Sequence, residues 1–294
     1  MPLNASLLVQ KSFPVVEQRY GPTDAILYAL GLGLGLSPTS PQELPYVLED
    51  AEGQVRMLPA MASVLAFPPP WGQDPAIGAD WRRVVHAEQR VDFHTPLPPN
   101  ATVRAETRVE RVTDKGPGKG ALVQATRSVL DAATGHTIAD VTMLSLARGD
   151  GGCGHAERPD AATLADLPDV PARDADGSVD IPTSAQAALV YRLSGDRNRL
   201  HADPATAKAA GFDRPILHGL ASFGIATHGL VHHALDGDAS RLASIGCRFS
   251  DVVFPGESLR LAYWHAPQGL HFRLSVPGRN TVALSRGFAA LRLP

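Results

Sequence analysis

The sequence predicts an α+β fold made of two halves with one plan, and three observations carry that prediction. Two sets of four strand-like stretches lie within 84–148 and 241–293, each preceded by residues of helical character. Inside the sets, apolar and polar residues alternate with period two, as half-buried antiparallel strands require. The sets also share local sequence: Pro99-Asn100-Ala101-Thr102-Val103-Arg104 echoes Pro255-Gly256-Glu257-Ser258-Leu259-Arg260, and each block lies shortly downstream of an Arg-hydrophobic pair, Arg90-Val91 or Arg248-Phe249. A diverged internal duplication accounts for the echo; ordinary Pro-x-x-Thr/Ser turn chemistry is the alternative.

In chain order, the first helical signal is Thr23-Asp24, which can cap a helix running toward Gly31, and residues 59–67 form a second apolar piece. Strands are then expected at about 84–94, 101–112, 121–130 and 137–148, separated by Pro98-Pro99-Asn100, a Gly-rich loop and Thr134-Gly135. The second of these puts Val103, Ala105, Thr107 and Val109 on one face and Arg104, Glu106, Arg108 and Glu110 on the other. Residues 1–150 make the first half. Residues 151–177, rich in Gly, Pro, Asp and Ala and without a periodic core pattern, read as a linker to the second half at 178–294. There, Asp203-Pro204 is an N-cap with proline at the first helical position, and Gly211 is its C-terminal stop. A longer helix follows at 217–235, with Leu220, Phe223, Leu230 and Leu235 at helical spacing. Strands at about 241–251, 258–265, 270–276 and 282–293 close the chain.

Composition bounds the function. With 44% apolar residues in 294, the chain can bury a sizeable core. Lys and Arg total 27 against 30 Asp and Glu, a net charge of −3, so no global basic field awaits nucleic acid or an anionic membrane, and any anionic ligand must be held locally. The longest apolar run, 25–36, is interrupted by Gly31, Gly33 and Gly35 and is shorter than the ~18–20 residues of a membrane helix. The N-terminus lacks the ordered regions of a signal peptide. Two distant cysteines, Cys153 and Cys247, are neither a disulfide framework nor a zinc set. A cytoplasmic, reducing location is therefore expected.

The densest polar cluster is Tyr191-Arg192-Leu193-Ser194-Gly195-Asp196-Arg197-Asn198-Arg199-Leu200-His201-Ala202-Asp203-Pro204. A carboxylate, an amide and an imidazole on one loop can grip a water: Asp accepts its proton, His exchanges protons near pH 7, and Asn orients by donating and accepting. Asp and Asn are also common turn formers, which is the competing explanation. Shortly after, Pro215-Ile216-Leu217-His218-Gly219-Leu220 opens the long helix, so the Gly219 amide is expected among the unpaired N–H groups at a positive helix end. That glycine suits either an oxyanion site or close packing of helix on sheet. His228, His232 and His233 have helical spacing but no HExxH pattern, and Ser222 lacks the Gly-x-Ser-x-Gly frame, so neither metal nor hydrolase chemistry is assigned to them.

The run from Tyr191 through Ser194-Gly195-Asp196-Arg197-Asn198-Arg199-Leu200-His201, with Asp203-Pro204, Ala207, Gly211-Phe212 and Pro215-Ile216-Leu217-His218-Gly219-Leu220, resembles the hydratase motif of MaoC-like dehydratases and type 2 (R-specific) enoyl-CoA hydratases. One departure stands out, Arg199 where that family usually has proline. The first half resembles the family's degenerate domain through Tyr20-Gly21-Pro22-Thr23-Asp24, Leu27-Tyr28-Ala29-Leu30-Gly31 and Asp114-Lys115-Gly116-Pro117-Gly118-Lys119-Gly120-Ala121. The resemblance implies a double hotdog, each half a long helix wrapped by a curved antiparallel sheet. It implies a catalytic second half, and a first half that lacks chemistry and admits a bulky acyl chain, with residues 20–24 standing where the catalytic loop stands in the second. It further implies reversible hydration of trans-2-enoyl-CoA to R-3-hydroxyacyl-CoA without cofactor or metal, by a homodimer. Asp196 and His201 would activate one water, Asn198 would support them, and Gly219 would stabilise the thioester oxygen. Lys115, Gly116, Gly118 and Lys119 would meet coenzyme A phosphates from a mobile hairpin, and His218 and Phe249 would add contacts to the carrier; read without the resemblance, the hairpin is a solubilised turn. A hotdog thioesterase and an inactive acyl-CoA-binding subunit are the rival expectations.

Overall fold

The two halves join through one strand of each along a single seam, giving one 11-stranded antiparallel sheet in a computed structural model that describes residues 3–292. The strands are β1 (Val16–Tyr20), β2 (Val84–Phe93), β3 (Ala101–Asp114), β4 (Ala121–Asp131), β5 (Thr137–Ala147), β6 (Ala156–Glu157), β7 (Gly177–Pro182), β8 (Leu242–Phe249), β9 (Ser258–Ala266), β10 (Gly269–Val276) and β11 (Thr281–Leu291). Their order is β1-β3-β4-β5-β2-β8-β11-β10-β9-β7, with β6 added on β3. Outward from the β2–β8 seam the two halves repeat the same connectivity, matching the echo between residues 99–104 and 255–260. This is the double hotdog. The eight expected strands all form; Leu293, at the end of the last, lies outside the described residues.

The helices are α1 (Ala5–Gln10), α2 (Pro22–Leu32), α3 (Leu44–Val47), α4 (Ala187–Tyr191), α5 (Pro204–Ala209) and α6 (Gly219–Ala234). Sixteen residues long and buried on nearly every side, α6 is the central helix of the second half. The first half is served by shorter elements. There α2 begins at Pro22 with its N-cap at Gly21, two residues before Thr23, because Asp24 sits in the first turn and its Oδ2 accepts the Gly21 N–H at 2.9 Å. The helix also runs past Gly31 to a left-handed stop at Gly33. Gly31 answers to close packing instead: a Cβ there would lie 2.9 Å from the Tyr191 Cα of α4. The apolar piece at 59–67 forms only a buried 3-10 turn, Pro59–Ser63, since Pro68-Pro69-Pro70 soon follows and forbids a longer helix.

The linker is a strap across the outer face of the sheet. The Ala162 carbonyl accepts from Gln124 of β4 at 3.3 Å, Asp166 lies 3.7 Å from Arg248 of β8, and Leu167 is buried against Gly246. Farther on, Asp169 pairs with Arg286 of β11, and Trp264 of β9 donates to the Arg173 carbonyl at 2.9 Å. Beneath the strap at the seam, Glu88 of β2 is 2% exposed and is shared by Arg90 at 2.5 Å and Arg248 at 3.0 Å.

On α6, His228 packs edge-on to Tyr46 with ring centroids 5.1 Å apart. Burial first, and then His232 and His233, pull its imidazole from 6.5 to about 4. The unfolded chain therefore binds a proton that the folded one refuses between those values, so this contribution to stability is full above pH 6.5 and is lost as pH falls toward 4. Urea midpoints measured from pH 7 to pH 4.5 should decline, and His228→Gln should make the decline shallower.

Candidate active site

The site assembles where the loop after α4 meets the start of α6. The chain turns at Gly195, with φ of 135°, and presents Asp196. Asn198 then shapes the loop twice over: its N–H donates to Asp196 Oδ1 at 3.0 Å, and its side-chain Oδ1 accepts the Leu200 N–H at 3.1 Å, capping the 3-10 turn Arg199–His201. Arg199 points outward and donates to Asp203 Oδ2 at 2.7 Å, tying the turn to the N-cap of α5. It thus braces the loop that proline would otherwise stiffen, and it stays out of the cluster.

Asp196, His201 and His218 bring one ligand atom each within 4.8 Å of one another. The rings of His201 and His218 stack with centroids 3.8 Å apart. His201 Nδ1 donates to the Ile216 carbonyl at 2.9 Å, which fixes its proton and leaves Nε2 as a free base. His218 Nε2 donates to the Asp196 carbonyl at 3.1 Å, leaving its buried Nδ1 without a partner. Burial lowers the His201 pKa, only partly offset by the Ile216 carbonyl and Asp196, and burial together with His201 brings His218 to about 4. Both rings are neutral at pH 7. With one nitrogen of each engaged by backbone, the cluster offers a cation at most two imidazole nitrogens and one carboxylate. His228, His232 and His233 gather no carboxylate with them among the described residues.

Gly219 lies at the first position of α6, and its N–H and that of Leu220 have no backbone acceptor among the described residues. The glycine lets Phe249 approach closely: its ring would lie 3.0 Å from a Cβ built there, tighter than an ordinary contact. Phe249 in turn meets His86 of β2, ring centroids 4.5 Å apart. Loss of water around the His86 ring pulls it to about 4, opposed by the Glu88 carbonyl and by Asp196. His86 therefore brings the first half into the electrostatic field of Asp196, across the β2–β8 seam. Sequence reasoning missed it, because a histidine inside an expected strand carries no pattern of its own. Tyr191 and Tyr28 complete the wall: Tyr191 lies 4.9 Å from His218 and 5.7 Å from Tyr28, measured between ring centres.

The residues expected at the carrier lie in two places. His218, at 1% exposure, is part of the Asp196–His201 cluster. Lys115 and Lys119 are exposed on the β3–β4 hairpin, with the Lys115 and Lys119 N–H groups donating to the Gly120 and Gly116 carbonyls, each at 3.0 Å. Asp114 pins this hairpin to the start of the strap, accepting from Gly152, Gly116 and Gly154. Strand registers bring the hairpin to the same end of the sheet as His86, since Ala147 of β5 pairs with both Ala121 and Val84. Residues 20–24 are not the counterpart of the Asp196 loop. They lead from β1 into α2 as residues 182–186 lead from β7 into α4, and the Asp196 loop comes after that helix.

Two family descriptions cover this chain: the MFE-2 hydratase 2 N-terminal domain matches residues 19–149, and the MaoC like domain matches residues 166–284. The chain belongs to the MaoC-like hydratase and dehydratase family. It is 38% identical to the enoyl-CoA hydratase ChsH3 of Mycobacterium tuberculosis over 97% of this chain and 98% of that one. It is 37% identical to the 3-hydroxyacyl-thioester dehydratase Y of the same organism over 87% and 86% of the two chains. A crystal structure of a MaoC-like dehydratase from Phytophthora capsici superimposes with a TM-score of 0.82 at 29% identity, covering 98% of each chain. Among the described residues, no helix is long and apolar enough to cross a membrane.

Proposed function

We propose that the chain interconverts trans-2-enoyl-CoA and R-3-hydroxyacyl-CoA thioesters, with the second half carrying the chemistry. The observation that carries this reading is the pairing of Asp196 with a His201 whose Nε2 is free and uncharged, beside the N-terminus of α6. A water held between them loses a proton as its oxygen attacks the β-carbon, and that proton is delivered to the α-carbon on the same face. Negative charge then gathers on the thioester oxygen, where the Gly219 N–H donates; a donor of this kind is worth about 10²–10³ in rate. His218 stacks on His201 and grips the Asp196 backbone, so it acts by positioning. The relatives named above as an enoyl-CoA hydratase and a 3-hydroxyacyl-thioester dehydratase support the same reaction. Incubation with crotonyl-CoA tests it: loss of enoyl absorbance without thiol release is expected. Thiol release would instead mark a thioesterase, and binding without turnover an inactive subunit.

The carrier's phosphates are assigned to Lys115 and Lys119, whose side chains extend freely from a hairpin at the His86 end of the sheet. Lys115→Ala with Lys119→Ala should raise KM for enoyl-CoA several-fold and flatten its salt dependence, since exposed charge attraction is screened over about 10 Å at ~0.1 M salt. Turnover number should hold, and a short pantetheine thioester should be hydrated as by the parent protein. Equal losses on both substrates would make the hairpin structural. Homodimeric assembly and a cytoplasmic location, in which Cys153 and Cys247 stay reduced, complete the reading.

A further inference from the structure

The 3-10 turn Trp81–Arg83, which opens β2, presents an aromatic ring to solvent. Trp81 is 44% exposed, and the Arg82 guanidinium lies over its ring, 4.7 Å from the centre. Close packing fixes the root of this side chain, since a Cβ built on Gly72 would lie 3.1 Å from the Trp81 Cβ. Two other segments meet the turn. The Arg148 N–H donates to the Arg83 carbonyl at 3.1 Å, and the Asp80 N–H donates to the Asp150 carboxylate at 3.3 Å. The same stretch of chain carries the hairpin of Lys115 and Lys119: a Cβ on Gly120 would lie 3.1 Å from the Arg148 Cα, and one on Gly151 would lie 2.8 Å from the Gly120 nitrogen.

Arg82, Arg148, Lys115 and Lys119 are thus exposed at one end of the sheet, and none pairs with a carboxylate among the described residues. The acids nearby are occupied. Asp114 accepts its three backbone N–H groups, Asp150 is buried, and Asp80 lies 3.9 Å from Arg83. An exposed flat ring among unopposed cations is suited to a nucleotide, whose base stacks while its phosphates meet the charges. Arg82 has no other partner among the described residues, so a base can take its place on the indole while the guanidinium turns to a phosphate. Five residues of chain separate Trp81 from His86, no more than about 18 Å, which an extended pantetheine arm can span. We infer that Trp81 stacks on the adenine of coenzyme A and that Arg82 and Arg148 hold its ribose phosphate, leaving the diphosphate to Lys115 and Lys119. The choice of carrier rests on the hydratase reading above; the nucleotide site does not. A thioester borne on a protein's pantetheine arm has no base to place on this ring.

Two measurements test it. In calorimetric titration, adenosine 3′,5′-bisphosphate should bind the parent protein, with Kd weakened about tenfold or more in Trp81→Ala and largely restored in Trp81→Tyr. Inorganic pyrophosphate, which has no base, should bind the parent and Trp81→Ala alike. Arg82→Gln with Arg148→Gln should weaken the bisphosphate several-fold and flatten its salt dependence. No binding of the bisphosphate by the parent, equal affinity in Trp81→Ala, or a loss shared with pyrophosphate overturns the nucleotide site. The second measurement compares substrates: Trp81→Ala should raise KM for crotonyl-CoA about tenfold and leave KM for crotonyl-pantetheine where it was. Equal shifts on both overturn the carrier assignment. Failure of the parent to hydrate either thioester, with the bisphosphate still bound, overturns the hydratase reading and the carrier assignment resting on it, and leaves the nucleotide site standing.

Discussion

Asp196→Asn and His201→Ala are each expected to lower hydration of a trans-2-enoyl-CoA by about 10²–10⁴-fold, the usual worth of a positioned acid–base group. Both act on one water, so the double variant should lose little beyond the worse single one. The fold should survive in each case. Asn at 196 can still accept the Asn198 N–H, and the loop keeps the Asn198 cap and the Arg199–Asp203 pair. Circular dichroism and urea midpoints, recorded beside the kinetics, separate lost chemistry from lost structure. A single variant that retains near-parental turnover removes the proposed mechanism.

The second large effect is on stability, at the seam between the halves. Glu88 lies beneath the strap, and its carboxylate is the shared acceptor for Arg90 and Arg248. Glu88→Ala leaves two guanidiniums with one acid, Asp166 at 3.7 Å from Arg248, to answer them. A loss of about 3 kcal/mol is expected, the low end for breaking a buried pair because Arg248 retains contact with water. Glu88→Gln keeps an acceptor and should lose less. Urea denaturation gives both values, and because β2 carries His86 toward Asp196, Glu88→Ala should also lower turnover at temperatures well below unfolding.

Those consequences rest on contacts between residues far apart in sequence, which is where the sequence was least legible. Strands such as β3 and β10 were plain because each buries one face, and period two follows directly from that. The edge strands β1 and β7 went unnoticed: Val16–Tyr20 is short and polar, Gly177–Pro182 ends in proline, and each pairs with a neighbour on one side only. The linker's strap-like course was hidden for a related reason, since its hold on the sheet comes from isolated groups, Leu167, Asp169 and Arg173, rather than from a periodic face. Thr23-Asp24 was found but misplaced, because an acid in the first turn caps as well from inside the helix as from its boundary. In the site, Asp196, Asn198 and His201 were readable because one loop carries them all. The stacking of His218 on His201 was not readable, since it is a property of the folded chain, and His86 gave no local signal.

The central claim is that a single water between Asp196 and His201 supplies both the hydroxyl and the proton. Hydration of crotonyl-CoA in D2O, with the product's stereochemistry read by NMR, tests this most directly. One diastereomer is expected, R at carbon 3, with the hydroxyl and the new deuterium added to the same face of the former double bond. Addition to opposite faces, or a mixture of both diastereomers, would require a second proton donor on the far side of the substrate and would contradict the account.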